Sequence, residues 1–200
     1  AFRQLSEALG TSSWYLRALR DEGWMAQRLA HIASSSRYVV NLLMRAPEMV
    51  QMLAHSENLE LRPRDLLSRS MSRDIGRASD KAAAVASVRA LRRSELCRIA
   101  LADVLGAADV TTVGLALSDL AGATLDAALE LARREVEAPP VGVIGMGRWS
   151  GYELGYASDT DAMFVIPDGS GPEEQAAATR LVRLACDLVG NPGPDPAMVV

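Results

Sequence analysis

The chain of 200 residues is poor in cysteine and histidine, with only Cys97, Cys186, His31 and His55. The cysteines lie far apart within amphipathic helical patterns, which argues against a disulfide scaffold and for two reduced thiols in the core of an intracellular protein. The histidines have no partners at metal-ligand spacing and read as ordinary surface or core residues. No apolar run approaches the ~20 residues that cross a bilayer. The opening Ala1-Phe2-Arg3-Gln4 lacks the charged-then-apolar layout of a signal peptide. A soluble cytoplasmic protein without a membrane partner is the expectation. Positive charge is not in excess, since the formal net charge is −4 and the pI about 5.3. There is thus no electrostatic reason to expect nucleic acid. Internal repeats and low-complexity segments are missing too. What is present is a hydrophobic content of 49%, too high for a disordered chain, in a length that can bury a core as one domain or two small ones.

Residues 1 to about 138 read as successive helices. Thr11-Ser12-Ser13 offers a cap to a broken pattern through Trp14, Leu16, Leu19, Trp24 and Leu29. Ser34-Ser35-Ser36 offers another, before Val39, Val40, Leu42 and Leu43. Pro47 suits the first turn of a helix carrying Met49, Val50, Met52 and Leu53; Met44, Met49 and Met52 read as core packing. Residues 56–64 predict a loop, and Asp65 to Met71 a short helix. Asp80 caps a segment with Val85, Val88, Leu91, Leu96 and Ile99 at mostly helical spacing, which Gly106 ends. The arginines 89, 92, 93 and 98 read as a solvated helix face. From Thr111, the positions Val113, Leu117, Ala121, Leu125, Ala128 and Ala132 form one stripe, and Pro139-Pro140 stops that helix.

The pattern then changes. Val141 to Met146 predicts a short buried strand, and Asp161 to Ile166 another. A turn-rich connection from Pro167 to Pro172 leads to a helix over 173–188 with Ala177, Leu181, Leu184, Ala185 and Leu188 inward. Gly190 to Pro196 reads as a loop, and Met198-Val199-Val200 as the start of a further strand. Between the two strands lie the chemically informative residues. Asp159 and Asp161 stand one residue apart at the mouth of a strand, so alternation points both to one side. Such a pair can hold a divalent metal, and the metal a nucleotide phosphate. The glycines of Gly145-Met146-Gly147-Arg148 let a backbone turn approach phosphates beside it.

Gly145-Met146-Gly147-Arg148, with Glu153-Leu154-Gly155-Tyr156-Ala157-Ser158-Asp159-Thr160-Asp161, closely resembles the glutamine-synthetase adenylyltransferase family of the nucleotidyltransferase superfamily. Leu91 to Leu96, Arg98-Ile99-Ala100, Asp103 to Gly106 and Leu42 to Glu48 resemble segments upstream of its catalytic domain. The resemblance thus covers nearly the whole chain. It implies a mainly α fold with a partial α/β nucleotidyltransferase domain, in which a helical bundle precedes a truncated mixed sheet. Residues 1–105 would be a helical linker region and 106–200 the N-terminal part of the catalytic domain.

The resemblance further implies that Asp159 and Asp161 are catalytic and bind two magnesium ions, that Gly147 and Arg148 approach the triphosphate of ATP, and that Ser158 lies near the phosphates. Glu153 fits the motif as well. The implied reaction transfers AMP from ATP to a tyrosine of glutamine synthetase, under a PII-type nitrogen signal protein and glutamine. A sister domain in the same polypeptide would remove the AMP by phosphorolysis, and the upstream helices favour the AMP-adding copy here. Trp149-Ser150-Gly151 stands where the family usually has Leu-Gly-Gly, and Ala157 where glycine is usual. The third carboxylate of the superfamily is expected past Val200, with neither Asp187 nor Asp195 as a substitute, so the chain as given is expected to be catalytically incomplete.

Two rivals remain. Val141 to Ser150, with Asp168, superficially resembles a dinucleotide fingerprint of an NAD(P)-dependent oxidoreductase. Ser150 in place of the third glycine, and a crossover helix forced through Gly151, Gly155 and Ser158-Asp159, argue against it. The other rival is a non-catalytic helical interaction module.

Overall fold

A computed structural model describes residues 15–17, 20, 23–190 and 198–200. The expected Thr11–Ser13 cap, Trp14, Leu19 and most of the Gly190–Pro196 loop lie outside these residues. The chain forms two compact units, Ala1–Leu61 with Arg93–Val113, and Arg62–Arg92 with Gly114–Val200. The described elements are mostly helical, with one small sheet.

In the first unit, α1 (Gly23–Ser35) buries Met25, Leu29 and Ile32, while Leu16 upstream of it is exposed rather than inward. Ser36 caps α2 (Arg37–Arg45), its hydroxyl accepting from the Val39 amide at 3.3 Å. The segment that Pro47 opens is a 3-10 helix, Pro47–Ala54. A second 3-10 turn, Ser56–Leu59, occupies part of the expected loop and buries Leu59. Short tight turns are the usual connectors at such points. Met44, Met49 and Met52 are only half-buried; Leu43, Val50 and Leu53 fill the core instead. The Nε2 of His31 lies 3.1 Å from the Val104 carbonyl. A carbonyl only accepts, so that nitrogen carries the proton and helps satisfy a helix end.

Helix α4 (Lys81–Val104) starts in the second unit and ends in the first. Its residues 95–100 are all buried, so the polar ones must be paired. Arg98 donates to Glu95 at 3.0 Å and to the Asn58 carbonyl, which corrects the expectation of a solvated arginine face. Arg89 is likewise engaged, as described below. Burial pushes the Cys97 thiol up to about 12, whereas Cys186 is only half-buried, and both are free. Gly106, at φ +69°, ends the helix as expected, with the Ala107 amide returning to the Ala102 carbonyl at 2.8 Å.

Both long helices start on an aspartate. The Asp80 carboxylate accepts from the Ala83 amide at 2.8 Å, and Asp109, a cap not expected from sequence, accepts from Thr112 at 2.7 Å before α5 (Val110–Arg133). These backbone hydrogen bonds hold both carboxyls below their ordinary value of 3.8. Stability from a depressed carboxyl is present above the unfolded value and is lost as pH falls through the folded one. The Ala83 and Thr112 amide shifts, followed by NMR, should therefore titrate with midpoints below 3.8. Midpoints at or above that value would contradict the capping.

Helix α5 is long and apolar enough by composition to cross a membrane, yet 78% of its most apolar stretch is buried within the protein. The predicted stripe from Val113 to Ala132 is buried throughout, and Leu120, Ala123, Ala127 and Leu131 on other sides are buried too. Its inner Ser118 and Thr124 return their hydroxyl hydrogens to the Gly114 and Leu120 carbonyls at 2.8 and 2.7 Å. Two glycines of α5 test the closeness of this packing. A Cβ on Gly114 would lie 2.8 Å from the main-chain oxygen of Tyr152, but on Gly122 the obstacle at 2.8 Å is the guanidinium of Arg64. A side chain yields and a backbone does not. Gly114→Ala is expected to cost about 1–3 kcal/mol, and Gly122→Ala close to nothing, in denaturant melts. Equal effects would show that the difference in neighbours is irrelevant.

The second unit also contains α3 (Arg64–Arg77), longer than the expected 65–71, whose Arg64 holds Asp126 at 2.9 Å. Its sheet is an antiparallel pair, β1 (Gly142–Gly145) with β2 (Ala162–Val165), in register Val143 to Phe164 and Ile144 to Met163. The expectation of buried strands is corrected here. Val143 and Phe164 are half-buried, but Ile144 and Met163 on the other face are 48% and 49% exposed. Two short strands covered on one side alternate, even where the sequence is apolar on both. Helix α7 (Pro172–Gly190) buries Ala177, Leu181 and Ala185, with Leu184 and Leu188 half-buried. Its last turn is closed by Arg89, which donates to the Leu188 carbonyl at 2.8 and 3.3 Å.

Candidate functional site

Strand β1 ends at Gly145, and the ladder continues by one rung, from the Met146 amide to the Asp161 carbonyl at 2.8 Å. Gly147 then takes φ +52° and opens the four-residue helix α6 (Gly147–Ser150). A left-handed backbone favours glycine. There is a second reason for glycine at this point, since a Cβ would lie 3.1 Å from the Asp161 carboxylate Oδ2. The bare backbone of the turn and the second carboxylate are therefore immediate neighbours.

Upstream of β2 the alternation is visible residue by residue. Asp159 and Asp161 are exposed, while Thr160 between them is 4% exposed, its amide donating to the Val199 carbonyl at 2.9 Å. That bond lays Met198–Val200 beside the segment, although no strand forms there. Both carboxylates thus face solvent on one side of the chain, and neither has an ion pair or hydrogen bond among the described residues. Arg148 is also exposed and outside any ion pair among those residues.

Ser158 sits differently. Its hydroxyl accepts from the Gly155 amide at 2.9 Å, and its own amide donates to the Gly155 carbonyl at 3.1 Å. It braces the turn that delivers Asp159, while its hydroxyl hydrogen stays available to an acceptor. Tyr152 is the only described non-glycine residue at positive φ. Ala157 therefore needs no left-handed backbone, and its departure from glycine costs nothing in this conformation.

Sequence reasoning missed two supports. Trp149 is the buried residue of α6, and its indole Nε1 donates to the Ser118 carbonyl of α5 at 3.2 Å. Gly145 is glycine because that ring lies on it, with a Cβ there only 3.2 Å from the indole. The signal was a large aromatic residue inside an otherwise polar, glycine-flanked turn. Ser150 closes the same turn, its hydroxyl donating to the Gly147 carbonyl at 2.8 Å.

The donor set fits magnesium. Among the described residues no cluster of three acidic, histidine or cysteine ligands exists. Magnesium, however, commonly binds through one or two carboxylates completed by substrate phosphates and water. Two solvent-facing carboxylates, with Asp161 beside the bare backbone of Gly147, supply that. The antiparallel pairing of β1 with β2, joined through only a four-residue helix, does not fit a dinucleotide-binding unit, which needs parallel strands and a crossover helix.

A family model described as glutamate-ammonia ligase adenylyltransferase matches residues 26–190. The chain is 52% identical, over its whole length, to the bifunctional glutamine synthetase adenylyltransferase/adenylyl-removing enzyme of Cutibacterium acnes. It is 41% identical, also over 100% of its length, to the proteins of that name from Mycobacterium leprae and Streptomyces coelicolor. It spans 20%, 21% and 22% of these three relatives, respectively.

Proposed function

The chain belongs to the glutamate-ammonia ligase adenylyltransferase family, and on that footing we propose that it supplies the phosphate turn and carboxylate pair of a domain transferring AMP from ATP to a tyrosine of glutamine synthetase. Residues 106–200 are then the N-terminal part of that catalytic domain, and residues 1–105 a helical linker region. The observation that carries the reading is the juxtaposition of Gly147, at φ +52°, with the Asp161 carboxylate, whose Oδ2 would lie 3.1 Å from a Cβ placed there.

In this reading Asp159 and Asp161 would hold two magnesium ions, with the triphosphate of ATP completing the donor set. When bound, magnesium neutralises phosphate charge and favours the phenolate form of the acceptor. The residues of the chain position and balance charge. The backbone at Gly147 approaches the phosphates, Arg148 adds a positive charge, and Ser158 keeps Asp159 in place through the Gly155 turn. The tyrosine oxygen forms a bond to the α-phosphorus, the bond from that phosphorus to the β-phosphate bridge breaks, and pyrophosphate leaves with its electron pair. The phenolic proton passes to solvent. We assign the AMP-adding rather than the AMP-removing copy, a cytoplasmic setting, and regulation through a PII-type signal protein.

The test is incorporation of labelled AMP into glutamine synthetase by this chain extended to the length of its relatives. Incorporation that disappears with Asp159→Asn supports the reading. Phosphorolytic release of AMP without incorporation would reassign the chain to the AMP-removing copy. Neither activity would leave the helical interaction module.

A further inference from the structure

Trp149 follows Arg148 directly in the chain, and two contacts of its side chain bear on the site. Its N–H is bonded to a carbonyl of α5, the core helix of its unit, at 3.2 Å. A buried indole N–H requires such a partner. Its ring packs at the end of β1, where a Cβ on Gly145 would lie 3.2 and 3.3 Å from two ring carbons. It also stands two residues from Gly147, the position that borders Asp161 at 3.1 Å. The remaining residues of α6 are exposed and Trp149 is 8% exposed, so the indole is the one side chain of α6 that reaches the interior.

Beside the ring is a cavity of about 260 Å³, lined among others by Arg64, Ser118, Asp119, Ser150 and Tyr152. This void decides what truncation would do. A close-packed surround would hold the turn in place after the ring is removed, whereas a turn with open space behind it has somewhere to sink.

We infer that Trp149 is a positioning residue, which sets the distance between the glycine turn and the Asp161 carboxylate by holding the turn against α5. The inference rests on the transfer reading only for the identity of the ligand, magnesium-ATP. On this inference, loss of the ring is felt in nucleotide and magnesium affinity rather than in affinity for the acceptor protein.

The experiment uses the chain extended to the length of its relatives, with Trp149→Leu and Trp149→Phe. Binding of magnesium-ATP is measured directly by calorimetry, and KM is measured separately for ATP and for glutamine synthetase. Trp149→Leu is expected to weaken magnesium-ATP binding and raise the KM for ATP about tenfold, a loss of ~1.4 kcal/mol, with the KM for glutamine synthetase unchanged. Trp149→Phe keeps a ring but not the donor, and should fall between. It also serves as the test if the leucine variant does not fold. A lower kcat with unchanged magnesium-ATP binding in either folded variant would overturn the inference, as would equal rises in both KM values. Failure of the unsubstituted protein to bind magnesium-ATP would overturn the transfer reading and this inference with it. Binding that the substitutions leave unchanged would overturn the inference alone.

Discussion

Asp161→Asn, in the protein of full relative length, is expected to lower AMP transfer to glutamine synthetase by about a hundred- to a thousandfold while leaving stability within ~0.5 kcal/mol. The asparagine keeps the shape of the side chain and removes its charge. A carboxylate that holds metal against phosphate contributes several kcal/mol to the transition state. The same carboxylate has no ion pair or hydrogen bond among the described residues, so the fold loses nothing with it. Exposed, unpartnered and beside bare backbone is a poor combination for a structural role and a good one for a ligand role. The measurement is a steady-state rate at saturating magnesium, with a thermal melt on the same sample. Activity within a few-fold of the unsubstituted protein would sink the assignment of Asp161 to the metal.

Glu95→Ala is the substitution with the largest expected effect on stability. Its carboxylate is 3% exposed and the partner Arg98 side chain 10% exposed, at 3.0 Å. Removing one member leaves a buried charge without its counter-ion, which costs about 3–5 kcal/mol. For a chain of this size that corresponds to a drop in Tm on the order of 10 °C. The surface pair Arg69 and Asp65 gives the contrast. It is shorter, at 2.6 Å, but its side chains are 69% and 65% exposed, so Asp65→Ala should cost no more than about 1 kcal/mol. Adding Arg98→Met to Glu95→Ala should recover the part of the loss that comes from the uncompensated guanidinium. If Glu95→Ala melts like Asp65→Ala, the burial of the pair does not matter.

Much of this was legible in the sequence for a definite reason. Long helices repeat their pattern many times, and the stripe from Val113 to Ala132 gives α5 through a period that no other structure shares. Local stops were equally readable, since Gly106 is required for a left-handed turn and Ser36 for a hydroxyl cap. The carboxylate pair was legible because alternation in an extended chain needs only two positions. Burial was not. Four-residue strands that are apolar on both faces give no sign of which face is covered, so Ile144 and Met163 were expected inside. The arginines of α4 misled for the opposite reason, because charge predicts exposure unless a partner is brought from elsewhere. Asn58, forty residues away in the chain, is such a partner for Arg98. The role of Trp149 depends on Ser118, a contact that local sequence does not announce.

Helices α4 and α5 each pass from one compact unit to the other without interruption. At 24 residues, α4 is roughly 36 Å of continuous hydrogen-bonded backbone. Of the three boundaries between the units, only that at Leu61-Arg62 falls outside a helix. A cut at the boundary near Arg93 would sever a helix at mid-length and strand four carbonyls and four amides on the new ends. A protease would find regular helix at Arg92-Arg93 and again at Val113-Gly114, but irregular backbone at Leu61-Arg62. Heritable exchange of one unit without the other would need three crossovers, two of them landing inside helices.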